Sequence, residues 1–171
     1  MRFVSIIAAM LIGVSCAIAG DDKHREAKAH EHGHGTVNVA IDGNQLAIEL
    51  EAPGSDIVGF EHAPKSDAQR AAISEAVSML KSPTDILGLP AAAGCTAGDV
   101  SVEQPELSKG EHNEFHVNYT FTCSAIDKLD RIEFKYFAQF KGAEELEGAL
   151  ITNKKTRKIE LSRDERALNI N

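Results

Sequence analysis

Alternating apolar and polar residues near position 40 predict a pair of adjacent strands. The stretches TVNVAI and QLAIELE each place three apolar side chains on one face of an extended chain. These side chains are Val37, Val39 and Ile41 in the first stretch, and Leu46, Ile48 and Leu50 in the second. Asp42-Gly43-Asn44 lies between the stretches and is typical of a tight turn, so we predict a β-hairpin.

A helical pattern follows a segment that we predict to be a loop. Residues 52–64, APGSDIVGFEHAP, contain two prolines and two glycines. Ser66 and Gln69 then form a capping-box sequence, and Ser82-Pro83 provides a stop. Between them an apolar stripe recurs at helical spacing, formed by Ile73, Ala76, Val77 and Leu80.

The second half of the chain is dominated by strand patterns. TDILGLPAAAG favours one further short helical turn, and CTAGDVSVE is a weak strand. The clearest strand is HNEFHVNYTFTC, and RIEFKYF repeats its alternation with Ile132, Phe134 and Tyr136 on one face. LEGALIT and RKIEL flank the turn NKKT, which predicts a second hairpin.

These elements define the expected fold class. We predict an α+β fold that is mainly antiparallel β-sheet with one main α-helix. The chain shows no internal repeat and no low-complexity tract beyond HEHGHG. A single domain is therefore expected over residues 30–171.

The first residues predict export from the cytoplasm. Arg2 precedes an apolar run, and Ala17-Ile18-Ala19 resembles a cleavage site, so we interpret residues 1–19 as a signal peptide. Residues 20–29 are charged and aperiodic and are interpreted as a flexible leader. Lipidation at Cys16 after Ser15 is an alternative. We therefore expect a periplasmic protein cleaved after Ala19, with no stable membrane insertion of the mature chain.

Cleavage would leave two cysteines, Cys95 and Cys123, and an even count in an exported chain predicts a disulfide. Two buried free thiols are the alternative. A bridge over this spacing would stabilise the fold by roughly 3–4 kcal/mol in the chain-entropy model.

The overall charge narrows the class of partner. The chain has 18 Lys and Arg against 26 Asp and Glu, a formal net charge of −8. Such a surface repels phosphate backbones and anionic lipid. We expect no nucleic-acid partner, and cations are the natural ligands.

Histidines sit where two strands carry polar faces. His30, His32 and His34 occupy alternate positions before the first strand, so they would share the face opposite Val37. Imidazoles two residues apart on a strand can bind one metal ion together with a carboxylate or a third histidine. A chance cluster on a solvated strand end is the competing interpretation.

A second polar face carries His112, Glu114 and His116, opposite Phe115 and Val117. This set is also compatible with the exposed side of any half-buried strand. His62, in the loop sequence GFEHAP, is either a ligand or a backbone hydrogen-bonding group. The predicted metal ligands are therefore His30, His32, His34, His62, His112 and His116. Whether they form one site or two depends on strand order.

Four stretches of this chain resemble one known family. HEHGHGTVNVAIDG, DIVGFEHAP, AAAGC and EFHVNYTFTC, in this order after a signal peptide, resemble the ZrgA-like family of zinc-regulated periplasmic proteins. The resemblance extends from about His30 to Ile170. It implies a periplasmic zinc-binding accessory that supports zinc uptake, with a zinc importer or its periplasmic binding protein as partner. The resemblance places ligand roles on the six histidines named above.

The chain departs from the family in one respect. Family members often carry a long histidine- and acid-rich insertion in the middle of the domain, whereas the segment EQPELSKGEHNEF is short here. Bulk zinc buffering is therefore not expected.

Detoxification of copper or nickel is an alternative function, since imidazole binds these ions as well. An enzyme is not expected, because the chain lacks H-E-x-x-H and a nucleophile elbow, and Glu61, beside His62, is the only candidate base. A scaffold with inert histidines is a further alternative.

Overall fold

A computed structural model describes residues 32–105 and 114–170. The predicted signal peptide, the leader, His30 and His112 lie outside the described residues. The described helices are α1 Gly54–Val58, α2 Asp67–Leu80, α3 Pro83–Ile86 and α4 Tyr136–Gln139. The strands are β1 His34–Asp42, β2 Gln45–Pro53, β3 Leu87–Gly88, β4 Cys95–Glu103, β5 Glu114–Cys123, β6 Arg131–Phe134, β7 Glu145–Thr152, β8 Thr156–Ser162 and β9 Ala167–Asn169.

The strands form two sheets. The larger has the order β4-β5-β2-β1-β7-β8, and the smaller has the order β3-β6-β9. Both predicted hairpins are present as β1–β2 and β7–β8. Among the described strands, every pairing is antiparallel except β1–β7, which is parallel and was not predicted. The predicted fold class is confirmed: the described part of the chain is mainly antiparallel sheet with one helix longer than five residues.

One face of the larger sheet carries the core. The predicted alternation holds, since Val37, Val39, Leu46 and Ile48 are at most 1% exposed. Helix α2 is linked to this sheet through the hydroxyl of Tyr119, which donates to the Leu80 carbonyl at 2.8 Å. The opposite face of the sheet carries mainly polar side chains and is open to solvent at most positions.

The N-terminus of α2 forms as its sequence predicts. The Ser66 side chain accepts from the Gln69 N–H at 3.2 Å. The Gln69 side chain accepts from the N–H of Lys65, one residue before the cap, at 2.7 Å. Of the apolar stripe, Ala76 and Leu80 are buried, whereas the other two members are half-buried.

Two local predictions were wrong. The segment interpreted as a loop contains α1, a helix that ends at Gly59 with a positive φ of 82°. Its five residues are too few to show helical periodicity. Tyr136 was predicted in a strand, but β6 ends at Phe134 and Tyr136 begins α4. Its ring is fully buried all the same, so alternation identified a core residue but not its backbone.

The predicted disulfide is present between Cys95 and Cys123. The two cysteines are register partners where β4 begins and β5 ends. The bond therefore joins the edge strand β4 to its neighbour.

The parallel pair β1–β7 requires a very close approach of the two backbones. A Cβ atom added to Gly148 would lie 1.8 Å from the carbonyl oxygen of Val37. Only glycine fits at this position of β7. This contact sets how closely β7 lies beside β1.

Candidate metal centre

Four of the six predicted ligands lie in the described residues: His32, His34, His62 and His116. His34 is on β1 opposite Val37, and His116 is on β5 opposite Val117, as the strand alternation predicted. Both project from the open face of the larger sheet. His32 lies in the turn that leads into β1.

His116 lies beside Glu51 on the neighbouring strand β2. The two are register partners, and His116 Nδ1 is 3.5 Å from Glu51 Oε1. The other Glu51 oxygen accepts from the Thr36 hydroxyl at 3.2 Å, so β1 helps to orient this carboxylate. On the other edge of the ring, His116 Nε2 is 3.9 Å from Glu114 Oε2. The two carboxylates face different nitrogens, so one ion on Nδ1 does not contact both.

His34 lies beside Glu145 at the start of the parallel pair β1–β7. The residues are register partners, with 3.5 Å between His34 Nδ1 and Glu145 Oε2. The Gly33 carbonyl accepts from the N–H groups of Glu144 and Glu145, both at 2.8 Å. These hydrogen bonds fix the start of β7 against the turn that precedes β1.

His32 lies beside Glu61, which follows α1. The distance between His32 Nε2 and Glu61 Oε2 is 3.6 Å. The other oxygen of Glu61 accepts from the Ser55 hydroxyl at 2.8 Å. The Glu61 carboxylate therefore has one oxygen held by α1 and one oxygen facing the imidazole.

A buried carboxylate lies behind this last pair. Asp56 is 3% exposed, and its Oδ1 accepts from the Gly33 N–H at 2.8 Å. Burial raises the pKa of Asp56 above its ordinary value, while the hydrogen bond from the Gly33 N–H acts in the opposite direction. Asp56 thus connects α1 to the backbone between His32 and His34.

His62 does not join these pairs. Its Nδ1 is 2.9 Å from the carbonyl oxygen of Ala63, so that nitrogen donates a local hydrogen bond. Its ring stacks on Phe60 at a centroid distance of 5.2 Å. The hydrogen bond to Ala63 is one of the two roles that the sequence left open for His62. The other ring nitrogen, Nε2, takes no part in this hydrogen bond.

In each of the three pairs, the distance between the histidine nitrogen and the carboxylate oxygen suits an ion bound by both. Their nitrogen–oxygen distances of 3.5–3.6 Å exceed those of ordinary hydrogen bonds. Zinc bonds of about 2.0–2.1 Å in tetrahedral geometry place two ligand atoms roughly 3.3 Å apart. Each pair can therefore supply two ligands. Within residues 32–105 and 114–170, no group of three His, Cys, Asp or Glu side chains is arranged to hold a metal ion.

Sequence reasoning missed the carboxylate half of these pairs. Glu51 and Glu145 are adjacent to their histidines only through strand register, and Glu61 was considered only as a base. The β2–β5 pairing brings Glu51 to His116, and the unpredicted parallel pairing brings Glu145 to His34. Glu114 alone was identified from the sequence, because it shares a strand with His116.

The molecule is thus a disulfide-bonded α+β protein with imidazole–carboxylate pairs at one end of a sheet. Residues 29–170 match the family described as ZrgA family zinc uptake protein, and the chain belongs to this family. A search of curated proteins finds no match. Family membership assigns a role in zinc uptake and, with the disulfide, indicates an extracytoplasmic protein. In the described part of the chain, no helix is long and apolar enough to cross a membrane.

Proposed function

We propose that this protein is a periplasmic accessory that captures Zn²⁺ through histidines and passes it to a zinc importer or its periplasmic binding protein. The observation that carries the proposal is the set of three imidazole–carboxylate pairs, His32–Glu61, His34–Glu145 and His116–Glu51, each spaced at 3.5–3.6 Å. Neutral imidazole and carboxylate oxygen are ligands that zinc accepts, and an exported protein has few reduced thiols to offer.

The three pairs lie along one end of the larger sheet. His34 and Thr36 are two residues apart on β1, a spacing of about 6.5–7 Å. Thr36 is the register partner of Glu51, which is itself the partner of His116. An ion bound by His34 and Glu145 is therefore close to the pair of Glu51 and His116, which suits capture at neighbouring positions.

Two predicted ligands outside the described residues extend this arrangement in sequence. His30 precedes His32 by two residues, and His112 precedes Glu114 by two. We propose that these histidines add a third ligand to the neighbouring pairs. His62 is a weaker candidate, because one of its nitrogens already bonds the Ala63 carbonyl.

Exposure and charge support capture and release rather than permanent storage. The His32 side chain is 73% exposed, and those of His34 and His116 are 43% and 41% exposed. A ligand exchange partner can reach such positions. The net charge of −8 draws cations towards the protein. We also propose that the protein is not an enzyme, and that the pairs bind zinc without catalysing a reaction on it.

Calorimetric zinc titration of the purified protein tests this function. We expect sub-micromolar binding that is weakened at least tenfold in the double variant His34→Ala, His116→Ala. Glu75→Gln, which removes an exposed carboxylate on α2, is a control and should bind like wild type. Unchanged binding in the double variant would refute a role for these histidines.

The phenotype of cells that lack the protein separates zinc supply from copper or nickel detoxification. Imidazole sites in general bind Cu²⁺ more tightly than Zn²⁺, so affinity alone does not decide between them. We expect cells lacking the protein to accumulate less zinc in zinc-poor medium and to tolerate copper and nickel normally. Copper or nickel sensitivity with normal zinc content would favour detoxification.

A further inference from the structure

We propose that Ser55 and Asp56 are positioning residues that hold His32 and Glu61 together as a preformed ligand pair. The contacts form a closed ring, the 32–61 ring, through His32, Gly33, Asp56, Ser55 and Glu61. This inference rests on the proposed zinc-binding function and adds residues that are not themselves ligands.

One half of the ring fixes the backbone beside His32. Gly33 donates to Asp56 Oδ1 at 2.8 Å, and its carbonyl accepts from Glu144 and Glu145. Its φ of +88° is a conformation that favours glycine. Both peptide groups around Gly33 are therefore held. The backbone is therefore held on the carbonyl side of His32, which restricts where its side chain can lie.

The other half of the ring orients the Glu61 carboxylate. The Ser55 hydroxyl has one proton to donate. Its 2.8 Å contact to Glu61 Oε1 is shorter than its 3.2 Å contact to Asp56 Oδ1. With Oε1 held by Ser55, Oε2 is the oxygen that faces His32 Nε2 at 3.6 Å.

Helix α1, which carries Ser55 and Asp56, is closely packed. Gly142 packs directly against it, and a Cβ atom added there would lie 2.6 Å from Asp56 Cα and 2.9 Å from the Ser55 carbonyl oxygen. Ser55 and Asp56 therefore cannot shift far towards residue 142. The ring joins the turn before β1 to α1 and to the loop after α1, which lie more than twenty residues from that turn in sequence.

Holding both ligands before the ion arrives reduces the ordering cost of binding. Residues that hydrogen-bond to metal ligands without touching the metal commonly change affinity by about 10–100-fold when removed. We expect a loss in this range for Ser55→Ala at the ion bound by His32 and Glu61. The glutamate would then lose the hydrogen bond that orients its Oε1 atom.

The experiment is titration of the purified protein with zinc, and with cobalt as a spectroscopic probe. The variants are Ser55→Ala and Ser55→Thr, which keeps a hydroxyl, with Ser82→Ala as a matched control beyond the C-terminal end of α2. We expect Ser55→Ala to weaken binding and to change the visible cobalt bands. Ser55→Thr and Ser82→Ala should resemble wild type. Thermal melting of the metal-free variants verifies that each is folded.

The outcomes distinguish this inference from the function on which it rests. Equal affinity and equal cobalt bands in Ser55→Ala and wild type would overturn the positioning role and leave zinc binding intact. Loss of binding in His34→Ala, His116→Ala but not in His32→Ala or Glu61→Gln would overturn it as well. Absence of zinc binding in the wild-type protein would overturn both proposals.

Discussion

Replacing Asp56 with alanine should destabilise the protein, whereas replacing it with asparagine should not. Asp56 Oδ1 is the acceptor for the buried Gly33 N–H. Alanine leaves that N–H without its partner, which costs about 1–3 kcal/mol. The melting temperature should fall by roughly 2–4 °C for each kcal/mol lost in a protein of this size. A decrease of about 2–12 °C is therefore expected.

Asparagine keeps an oxygen in the position that accepts from Gly33 but removes the charge. Burial raises the pKa of Asp56 in the folded protein above its unfolded value. The folded state therefore holds this proton more tightly than the unfolded state does. The stability contributed by the protonated group is present below the unfolded pKa and is lost as pH rises through the folded pKa. At neutral pH, Asp56→Asn should be at least as stable as wild type.

Urea denaturation in the presence of a chelator, between about pH 3.5 and 7.5, measures both effects. The stability difference between Asp56→Asn and wild type should grow in favour of the variant as pH rises. Asp56→Ala should be the least stable of the three at neutral pH. If Asp56→Ala unfolds within about 0.5 kcal/mol of wild type, the range of ordinary surface substitutions, the bond to Gly33 does not anchor this turn. A loss in Asp56→Asn equal to that in alanine would show that the charge itself is needed.

Three further variants test the core and the sheet. Gly148→Ala places a Cβ 1.8 Å from the Val37 carbonyl oxygen and should lower stability by about 3 kcal/mol or more; a normal melting temperature would contradict the close β1–β7 approach. Tyr119→Phe removes the donor to the Leu80 carbonyl and should cost about 1–2 kcal/mol in urea denaturation. Replacing both cysteines with alanine should cost about 2–4 kcal/mol, and reduction of wild type should reproduce most of that loss.

The hairpins and the faces of the strands could be predicted because alternation is a local signal. Val37 and Val39 are buried and His34 is exposed, as the period of two requires. The same reasoning placed His116 opposite Val117. Alternation failed at Tyr136, where the side chain is buried from a helix rather than from a strand.

The pairing of β1 with β7 could not be predicted, because it joins segments more than one hundred residues apart. Its main sequence marker is Gly148, and a glycine inside a strand pattern is equally typical of a bulge or a tight bend. The sequence therefore predicted the histidines of the candidate site but not the carboxylates paired with them. Histidine is rare in this chain, so His32, His34 and His116 stand out, whereas Glu51, Glu61 and Glu145 are three among 26 acidic residues.

Zinc binding by the assembled pairs is linked to folding, whereas zinc binding by the histidine tract alone is not. The histidine tract, formed by His30, His32 and His34, lies within five residues of the sequence. It can therefore bind an ion in the unfolded chain as well. The pairs exist only when β1, β2, β5, β7 and α1 are assembled, because each carboxylate comes from a different element than its histidine. A ligand that binds only the folded state raises its stability in proportion to the logarithm of ligand concentration.

Zinc bound by the pairs must therefore raise the melting temperature progressively as the zinc concentration rises. The free energy of unfolding should increase by about 2.7 kcal/mol when the zinc concentration is one hundred times the dissociation constant. Zinc bound by the histidine tract alone would leave the melting temperature nearly unchanged, because folded and unfolded chains would compete for it equally. The variant Glu51→Gln, Glu61→Gln, Glu145→Gln keeps the tract and removes all three of the paired carboxylates. If it retains the full zinc-dependent shift, the assembled pairs are not where the ion binds.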